Sequence, residues 1–298
     1  MNRRASWAMA VVCLLGMAGA GPSLAQLEIN IEGLEEENLE DYLDPLNTGL
    51  GTTLNSAVFR TGYVPTEGFN FSIGLLAMAV GFDDADRTYV PTLPESYSGV
   101  TASEVPTVIG DPAGSTISGP GGLQKAYPGG FDLEGIEMAT PQVAVGSIFG
   151  TRGVVRYMAG ELGDTDLGDL SYLGYGAQHS ISQWLPDLPV DLAAGIFVHS
   201  FESGDEVVKI SSTHVNLTAS KQFGVLQPYV GVGYDATTTD VKVEDEVDPE
   251  DSVEISLESD NVFHLTLGAM ARLSAVGVFF EFNAAAGTGF ALGLDIGL

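Results

Sequence analysis

The feature that most constrains this chain is a strict alternation of apolar residues with small or polar ones near its C-terminus. Over 276–284 and 290–298 every second residue is apolar, and the intervening positions include Glu281 and Asn283. Helical patterns repeat every 3.6 residues and strands every two, so the alternation predicts two strands joined by a short turn. One apolar face beside one small or polar face is typical of a barrel whose strands separate lipid from a lumen.

The same alternation recurs upstream in 69–81, 190–198 and 263–271. Weaker candidates for strands are 142–149, 151–161, 167–180, 206–221 and 223–237, with one or two more within 86–102. Long polar segments alternate with short turns between these strands, as in outer-membrane barrels. A secreted β-sandwich or cupin-like barrel is the alternative, because it also buries one face of each strand.

The number of strands follows from their minimum length. A spanning strand takes about 9–11 residues, and with its connection each uses about 17 of the roughly 200 residues available. The sequence therefore predicts an all-β fold, a transmembrane antiparallel β-barrel of about 12 strands, within a range of about 10–14.

The first residues predict export. Arg3 and Arg4 precede an uncharged apolar stretch, and Ser23-Leu24-Ala25 is a small-x-small cleavage site, so 1–25 is predicted to be a secretory signal peptide. Its Cys13 is the one cysteine of the chain, and the mature protein therefore has no disulfide. Export of a barrel predicts the bacterial outer membrane as location, with outer-membrane lipid and the barrel-assembly machinery as partners.

The predicted organisation is a signal peptide, an N-terminal helix or plug segment over 26–66, and a barrel over 67–298 with a long loop at 103–138. Apolar residues spaced by three and four predict a helix early in the second segment; they are Leu39, Tyr42, Leu43, Leu46, Leu50 and Leu54. Pro45 and Gly49 predict that this helix is short and continues as an irregular tail. The segment either plugs the lumen or caps the barrel.

Charge excludes two classes of protein. The chain has 40 acidic and 11 basic residues and a net charge of −29, so nucleic acid is not a predicted partner. Its hydrophobic content of 45% is too high for an acidic disordered chain. The acidic run 244–251 suits divalent cations, but it lacks the glycine and ligand spacing of an EF-hand loop, which favours a solvated loop.

Three motifs carry a resemblance to a known family. They are Tyr42-Leu43-Asp44-Pro45-Leu46, Val105-Pro106-Thr107-Val108-Ile109-Gly110, and Gly174-Tyr175-Gly176 followed by His179-Ser180-Ile181-Ser182-Gln183-Trp184. Together they resemble a Bacteroidetes-type family of exported bacterial proteins of unknown function that are predicted outer-membrane barrels. The resemblance implies the fold and the location, and it assigns no functional residue. A more distant similarity is to fatty-acid-type barrel transporters, which carry an N-terminal hatch.

Few residues are candidates for chemistry. In the third motif His179, Gln183 and Trp184 suit packing at a strand end near a membrane interface. The residue two after His179 is Ile181, and neighbouring serines face the other way on a regular strand, so no His–Ser pair forms and no enzyme is predicted.

His199, His214 and His264 show no metal-ligand spacing, so neither metal nor cofactor is predicted. By strand parity Arg156, Asp191 and Glu281 face the lumen, where they either select a solute or pair with one another.

Two functions remain open at this point. One is passive transport of a small molecule, with a small hydrophobic molecule as candidate ligand, gated by the N-terminal segment or by 103–138. The alternative is a non-conducting structural or surface-interaction barrel with a packed lumen.

Overall fold

The described part of the chain folds into a closed antiparallel β-barrel with the helix Glu36–Asn55 inside it. The computed structural model describes residues 30, 34–161, 169–185, 187–203, 208–243, 253–259, 263–285 and 287–297. The predicted signal peptide 1–25, the acidic run 244–251 and the C-terminal Leu298 lie outside the described residues.

The helix α1 spans Glu36–Asn55. The strands are β1 (Asn70–Gly81), β2 (Thr88–Tyr89), β3 (Val105–Pro106), β4 (Ser115–Ser118), β5 (Gln124–Tyr127), β6 (Gly135–Ile148), β7 (Thr151–Glu161), β8 (Asp169–Ser180), β9 (Asp191–Ser203), β10 (Val208–Ser220), β11 (Leu226–Val243), β12 (Val253–Glu258), β13 (Phe263–Leu273), β14 (Val276–Ala284) and β15 (Thr288–Gly297). Among the described residues, no helix combines the length and the apolar character needed to cross a membrane.

Ten strands close the barrel. Their order is β1, β6, β7, β8, β9, β10, β11, β13, β14 and β15, and the last pairs with the first. β12 stands outside this ring, because it pairs with the far half of β11 beyond the end of β13.

The expected number of about 12 strands is therefore corrected to ten, with one strand outside the ring. Two facts account for the difference. The strands exceed the minimum length, since β6 has 14 residues and β11 has 18, and the segment 82–134 adds none to the barrel.

The alternation along the strands sorts side chains between the two faces. Large apolar residues such as Val278, Phe280, Leu292 and Leu294 are half-exposed on the outer surface. Their neighbours on the same strands point inward and include buried charged and amide groups, among them Glu281. A pleated strand produces this pattern whenever its two faces meet different surroundings.

The two ends of the barrel differ in their connections. At one end, here called the short-turn end, strands are joined across 149–150, 181–190, 221–225 and 274–275. At the other, the long-loop end, the connections are 82–134, 162–168, 204–207, 244–252 and 285–287.

The longest connection, 82–134, forms a folded lobe over the long-loop end. It holds the paired strands β2–β3 and β4–β5. The start of α1 is bonded to it: Asn38 exchanges two hydrogen bonds with the backbone of Thr92, and the Tyr42 hydroxyl donates to the carbonyl of Gly129 at 2.9 Å.

This lobe differs from expectation at two places. The segment 86–102 was predicted to hold one or two barrel strands, and it lies in the lobe instead. The predicted loop 103–138 contains three short strands, and β6 begins within it at Gly135. Turn-rich composition indicates where regular barrel strands stop, but it does not reveal short pairings that depend on packing against α1.

The helix α1 lies inside the barrel and runs from the long-loop end to its middle. The chain turns at Ala57, whose φ is 55°, and residues 58–62 continue without regular structure toward the short-turn end, where the chain turns to enter β1. We call 36–62 the plug. The N-terminal segment thus passes through the lumen and does not cap the barrel from outside.

Within the plug, α1 is one continuous helix through Pro45, contrary to the predicted break at Pro45 and Gly49. The glycine serves close packing, because a Cβ atom at Gly49 would lie 2.8 Å from the ring of Phe82. Contact with the barrel wall therefore overrides the weak helix propensity of this stretch.

Candidate functional site

The end of α1 is held by a fully buried arginine of the barrel wall. Arg156 donates from Nη1 to the Leu54 carbonyl at 3.1 Å and from Nη2 to the Ser56 carbonyl at 2.9 Å. Its Nε donates to Gln142 Oε1 at 2.9 Å. A cation at this position satisfies carbonyl groups that a helix leaves unpaired at its C-terminus and interacts favourably with the helix dipole.

A buried carboxylate holds the next residue of the plug. Glu281 Oε1 accepts a hydrogen bond from the Ala57 amide at 2.6 Å and from Asn283 Nδ2 at 2.9 Å. Its Oε2 accepts from the Tyr229 hydroxyl at 2.8 Å. Arg156 and Glu281, both predicted to face the lumen, thus hold the plug by hydrogen bonds where the helix ends.

A chain of polar groups extends from Glu281 along the wall. Asn283 Oδ1 lies 2.8 Å from His264 Nε2, and His264 Nδ1 lies 2.7 Å from Asp235 Oδ2. The other carboxylate oxygen of Asp235 is bonded to His214 Nδ1. Candidate ligand atoms of His214, Asp235 and His264 all lie within 4.8 Å of one another.

Sequence spacing missed this cluster. The register of the sheet places His214 opposite Asp235, and His264 opposite Gly233, two residues from Asp235 on the same face. Two imidazoles and a carboxylate are donor types that Zn²⁺ accepts. Both ring nitrogens of His264 already have hydrogen-bond partners. These hydrogen bonds are what a structural network needs, whereas a bound metal ion would have to replace one of them.

Further polar contacts join α1 to the wall. Asn55 Nδ2 donates to Ser212 Oγ at 3.0 Å, and Ser212 Oγ lies 2.8 Å from Thr237 Oγ1. Thr239 Oγ1 donates to Asn47 Oδ1 at 2.7 Å. One side of the helix is therefore attached by hydrogen bonds to β10 and β11.

Apolar side chains pack around the middle of the plug. The central cluster combines Leu54 and Ala57 of the plug with wall residues of most strands; these include Leu76, Met78, Met138, Met158, Tyr172, Phe201, Ile210, Met270 and Phe279. A second apolar cluster, formed by the tail of the plug, packs Val58 and Phe59 against Phe197. The lumen is closed at its middle by direct packing.

The residues of the third sequence motif lie elsewhere, at the short-turn end. His179 Nδ1 is 2.7 Å from Thr151 Oγ1, and its Nε2 is 2.7 Å from Gln183 Nε2. Its ring lies 4.9 Å from that of exposed Trp184, tilted by 37°. These contacts brace the β8–β9 turn. The Ser182 hydroxyl bonds the backbone of Leu192.

Asp191, the third residue predicted to face the lumen, is not among the residues that hold the end of α1. Asp191 begins β9 at the short-turn end and is partly buried there. Its backbone carbonyl lies against Gly62 of the plug.

A cleft of about 380 Å³ opens beside the plug at the short-turn end. Its charged lining residues are Arg60 of the plug, Arg152, Arg272 and Asp295. We call it the arginine cleft. Strand parity could have found its wall residues, since Arg152 and Arg156 share one face of β7, but the contribution of the plug is visible only in three dimensions.

A closed antiparallel ring of ten strands around an N-terminal helix, all within the described residues, defines the class of the fold, an all-β barrel. Within that class, the chain belongs to a family of unknown function (DUF6588), which it matches over residues 4–298. This confirms the resemblance to a family of unknown function that the motifs indicated, while the bacterial group stays a prediction.

Solved structures include similar barrels. The chain is 9% identical to the outer membrane protease OmpT from Escherichia coli, with a TM-score of 0.34, over 79% of this chain and 98% of that one. It is 11% identical to OmpTdeltaL8, a loop-deletion mutant of an outer membrane protein of Vibrio cholerae, with a TM-score of 0.26, over 78% and 100%. Among curated proteins none matches the sequence.

Proposed function

We propose that this protein is an outer-membrane β-barrel that its own N-terminal plug keeps closed, so that it acts as a non-conducting structural or surface-interaction barrel. The observation that carries the proposal is the filled lumen: the plug packs against the central apolar cluster and is gripped by Arg156 and Glu281. A channel for water or ions needs a continuous polar path, which this packing interrupts.

Membrane insertion is supported by the outer surface. Half-exposed apolar side chains recur on successive barrel strands, for example Leu75, Val155, Ile196 and Leu267. Soluble monomers rarely expose so large an apolar surface, whereas a barrel in lipid needs one. We therefore take outer-membrane lipid as the partner of this surface, and we keep the barrel-assembly machinery as a predicted partner.

Gated passage of a small molecule is the second candidate. The observation that favours it is the polar attachment of α1 to β10 and β11 through Asn47, Asn55 and their partners. Hydrogen bonds to a wall can be exchanged for water when a plug shifts, at a smaller cost than the loss of apolar packing.

The proposal includes no enzymatic activity. Ser212 is two residues from His214 on β10, which is a plausible spacing for a nucleophile and a base on one strand face. Its hydroxyl, however, is bonded to Asn55 and Thr237. The plug covers this part of the wall, so a substrate does not reach it.

Conductance across a planar lipid bilayer tests the closed state. The wild type is compared with a Gly51→Cys/Thr237→Cys variant, because a Cβ atom at Gly51 would lie 3.3 Å from that of Thr237, close to disulfide range. We expect silence from the wild type and from both redox states of the pair. A Gly51→Cys single variant controls for the cysteine itself.

Each other outcome has a defined meaning. Intermittent steps that the oxidised pair abolishes and a reductant restores would favour gated passage. Steady steps that the disulfide leaves unchanged would overturn the closed barrel. Recovery of the chain in the soluble fraction of cells, instead of the outer membrane, would overturn insertion.

A further inference from the structure

The arginine cleft concentrates positive charge in a strongly acidic protein. The chain has seven arginines, and three of them, Arg60, Arg152 and Arg272, line this one cleft. The acidic residue of the lining is Asp295. The cleft therefore carries two more positive than negative charges, in a chain whose net charge is −29.

Asp295 is already neutralised by one of these arginines. Arg272 Nη2 donates to both of its carboxylate oxygens, at 2.9 and 2.8 Å. Arg60 Nη2 lies 3.9 Å from the same group, beyond hydrogen-bond range. Glu281, the next carboxylate of the lumen, has both oxygens occupied by hydrogen bonds. Arg60 therefore has a long ion pair with a carboxylate that Arg272 already engages, and Arg152 makes no ion pair among the described residues.

Three nitrogen donors of the cleft lack hydrogen-bond partners among the residues that the structure describes. They are Arg60 Nη1, Arg152 Nε and Asn70 Nδ2. Arg60 is 6% exposed, and its guanidinium stacks 4.4 Å above the ring of Phe279, which fixes its direction. Buried donors nearly always have partners, so three that line one cleft indicate an acceptor group between them.

The rest of the lining is partly apolar. Val58, Val154 and Met270 form part of the wall beside the arginines. An arginine fork matches the oxygens of a carboxylate or a phosphate, and an apolar wall accepts a short hydrocarbon portion. A cleft of about 380 Å³ has room for both.

We propose that the arginine cleft binds a small organic oxyanion, with its carboxylate or phosphate group on Arg60, Arg152 and Asn70 and its apolar portion against Val58 and Val154. The cleft is open while the plug is in place, so binding does not require the lumen to open. The inference therefore stands whether the barrel is closed or gated.

Isothermal titration calorimetry on the refolded full chain in an uncharged detergent, at constant ionic strength, tests the proposal. The probes are hexanoate, inorganic phosphate and hexanol, which supply head and tail, head alone and tail alone. We expect hexanoate to bind saturably at one site, inorganic phosphate to compete with it, and hexanol to bind far more weakly.

Variants locate the site. Arg152→Gln is expected to weaken hexanoate binding by about tenfold or more, because a charge-assisted hydrogen bond is lost. Asn70→Ala removes a neutral donor from a partly exposed residue and is expected to weaken binding about threefold without affecting folding. Arg87→Gln, in the lobe, is the matched control and should bind as the wild type does.

Two results would overturn the proposal. One is the absence of saturable binding by hexanoate and phosphate to a wild type whose circular dichroism shows the folded barrel. The other is equal binding by the wild type, Arg152→Gln and Asn70→Ala, because the anion would then sit elsewhere. Binding of phosphate without binding of hexanoate would contradict the proposed contact of the ligand's apolar portion with Val58 and Val154.

Discussion

Two residues of the barrel wall, Arg156 and Glu281, hold the end of the helix in the plug by hydrogen bonds. Arg156 and Glu281 come from strands on opposite sides of the ring order, β7 and β14, yet both bond the backbone at residues 54–57. Arg156 satisfies carbonyl groups that the helix end leaves unpaired, and Glu281 accepts a hydrogen bond from the amide of Ala57 just beyond it. Their role is to fix the position of the plug, which parity alone could not distinguish from selecting a solute.

Replacing the arginine should release the helix end. Arg156→Met leaves the carbonyls of Leu54 and Ser56 and the side-chain oxygen of Gln142 without their donor, and we expect a loss of about 3 kcal/mol in the free energy of unfolding. Urea unfolding of the refolded protein measures it. Arg87→Met removes an exposed ion pair with Asp132 and should cost under about 1 kcal/mol. Equal losses would contradict the role assigned to Arg156.

A tyrosine links the plug to the lobe. Burial raises the pKa of Tyr42 from 10.0 to about 12, so the neutral hydroxyl that donates to Gly129 persists at alkaline pH. Since the unfolded chain ionises first, the stability from this group is full below about pH 10 and is lost as the pH rises toward 12.

The Tyr42→Phe variant isolates that effect. Between about pH 9 and about pH 11 we expect the wild type to lose up to about 1 kcal/mol more than the variant. Urea midpoints at both pH values measure the difference. Parallel losses in the two proteins would show that other groups account for the alkaline instability.

At the scale of elements, the plug fits the barrel through close backbone approaches. A Cβ atom at Gly62 would collide with the carbonyl oxygens of Asp191 and Thr218. Backbone atoms of two strands cannot yield as a side chain can, so this glycine lets the irregular tail of the plug pass against the wall.

Gly62→Ala should therefore destabilise the protein by about 1–3 kcal/mol through overpacking. The matched control is Gly160→Ala on β7, where an added Cβ atom would meet nothing within 4 Å. Thermal unfolding compares the two. If both variants unfold at the wild-type temperature, the tail does not lie against β9 and β10.

At the scale of the whole molecule, the direction of the plug has a consequence for topology. The chain enters the lumen at the long-loop end, where Glu35 pairs with Lys125 of the lobe. If long loops face outward, as in outer-membrane barrels, the residues before α1 emerge on the same side as the lobe.

An epitope tag tests this arrangement in intact cells. Inserted after the predicted cleavage site at Ala25, it should bind antibody to the same extent as a tag at Gly99 in the lobe. A tag in the 149–150 turn should bind only after the cells are permeabilised. Antibody binding to the N-terminal tag only after permeabilisation would contradict the threading direction.

The sequence by itself determined the features that repeat locally. The period of two predicted strands at β1, β9, β13, β14 and β15, and leucine spacing predicted α1, because each pattern is set by neighbours along the chain. The inward direction of Arg156 and Glu281 followed from the same parity.

Only the tertiary structure decided which distant residues meet. Closure into ten strands set the register that joins His214, Asp235 and His264, and the path of the plug brought Arg60 to Arg152. Packing against the wall kept α1 whole through Pro45. Contacts of this kind depend on chain closure and on a segment from outside the sheet, and no local period in a sequence encodes either.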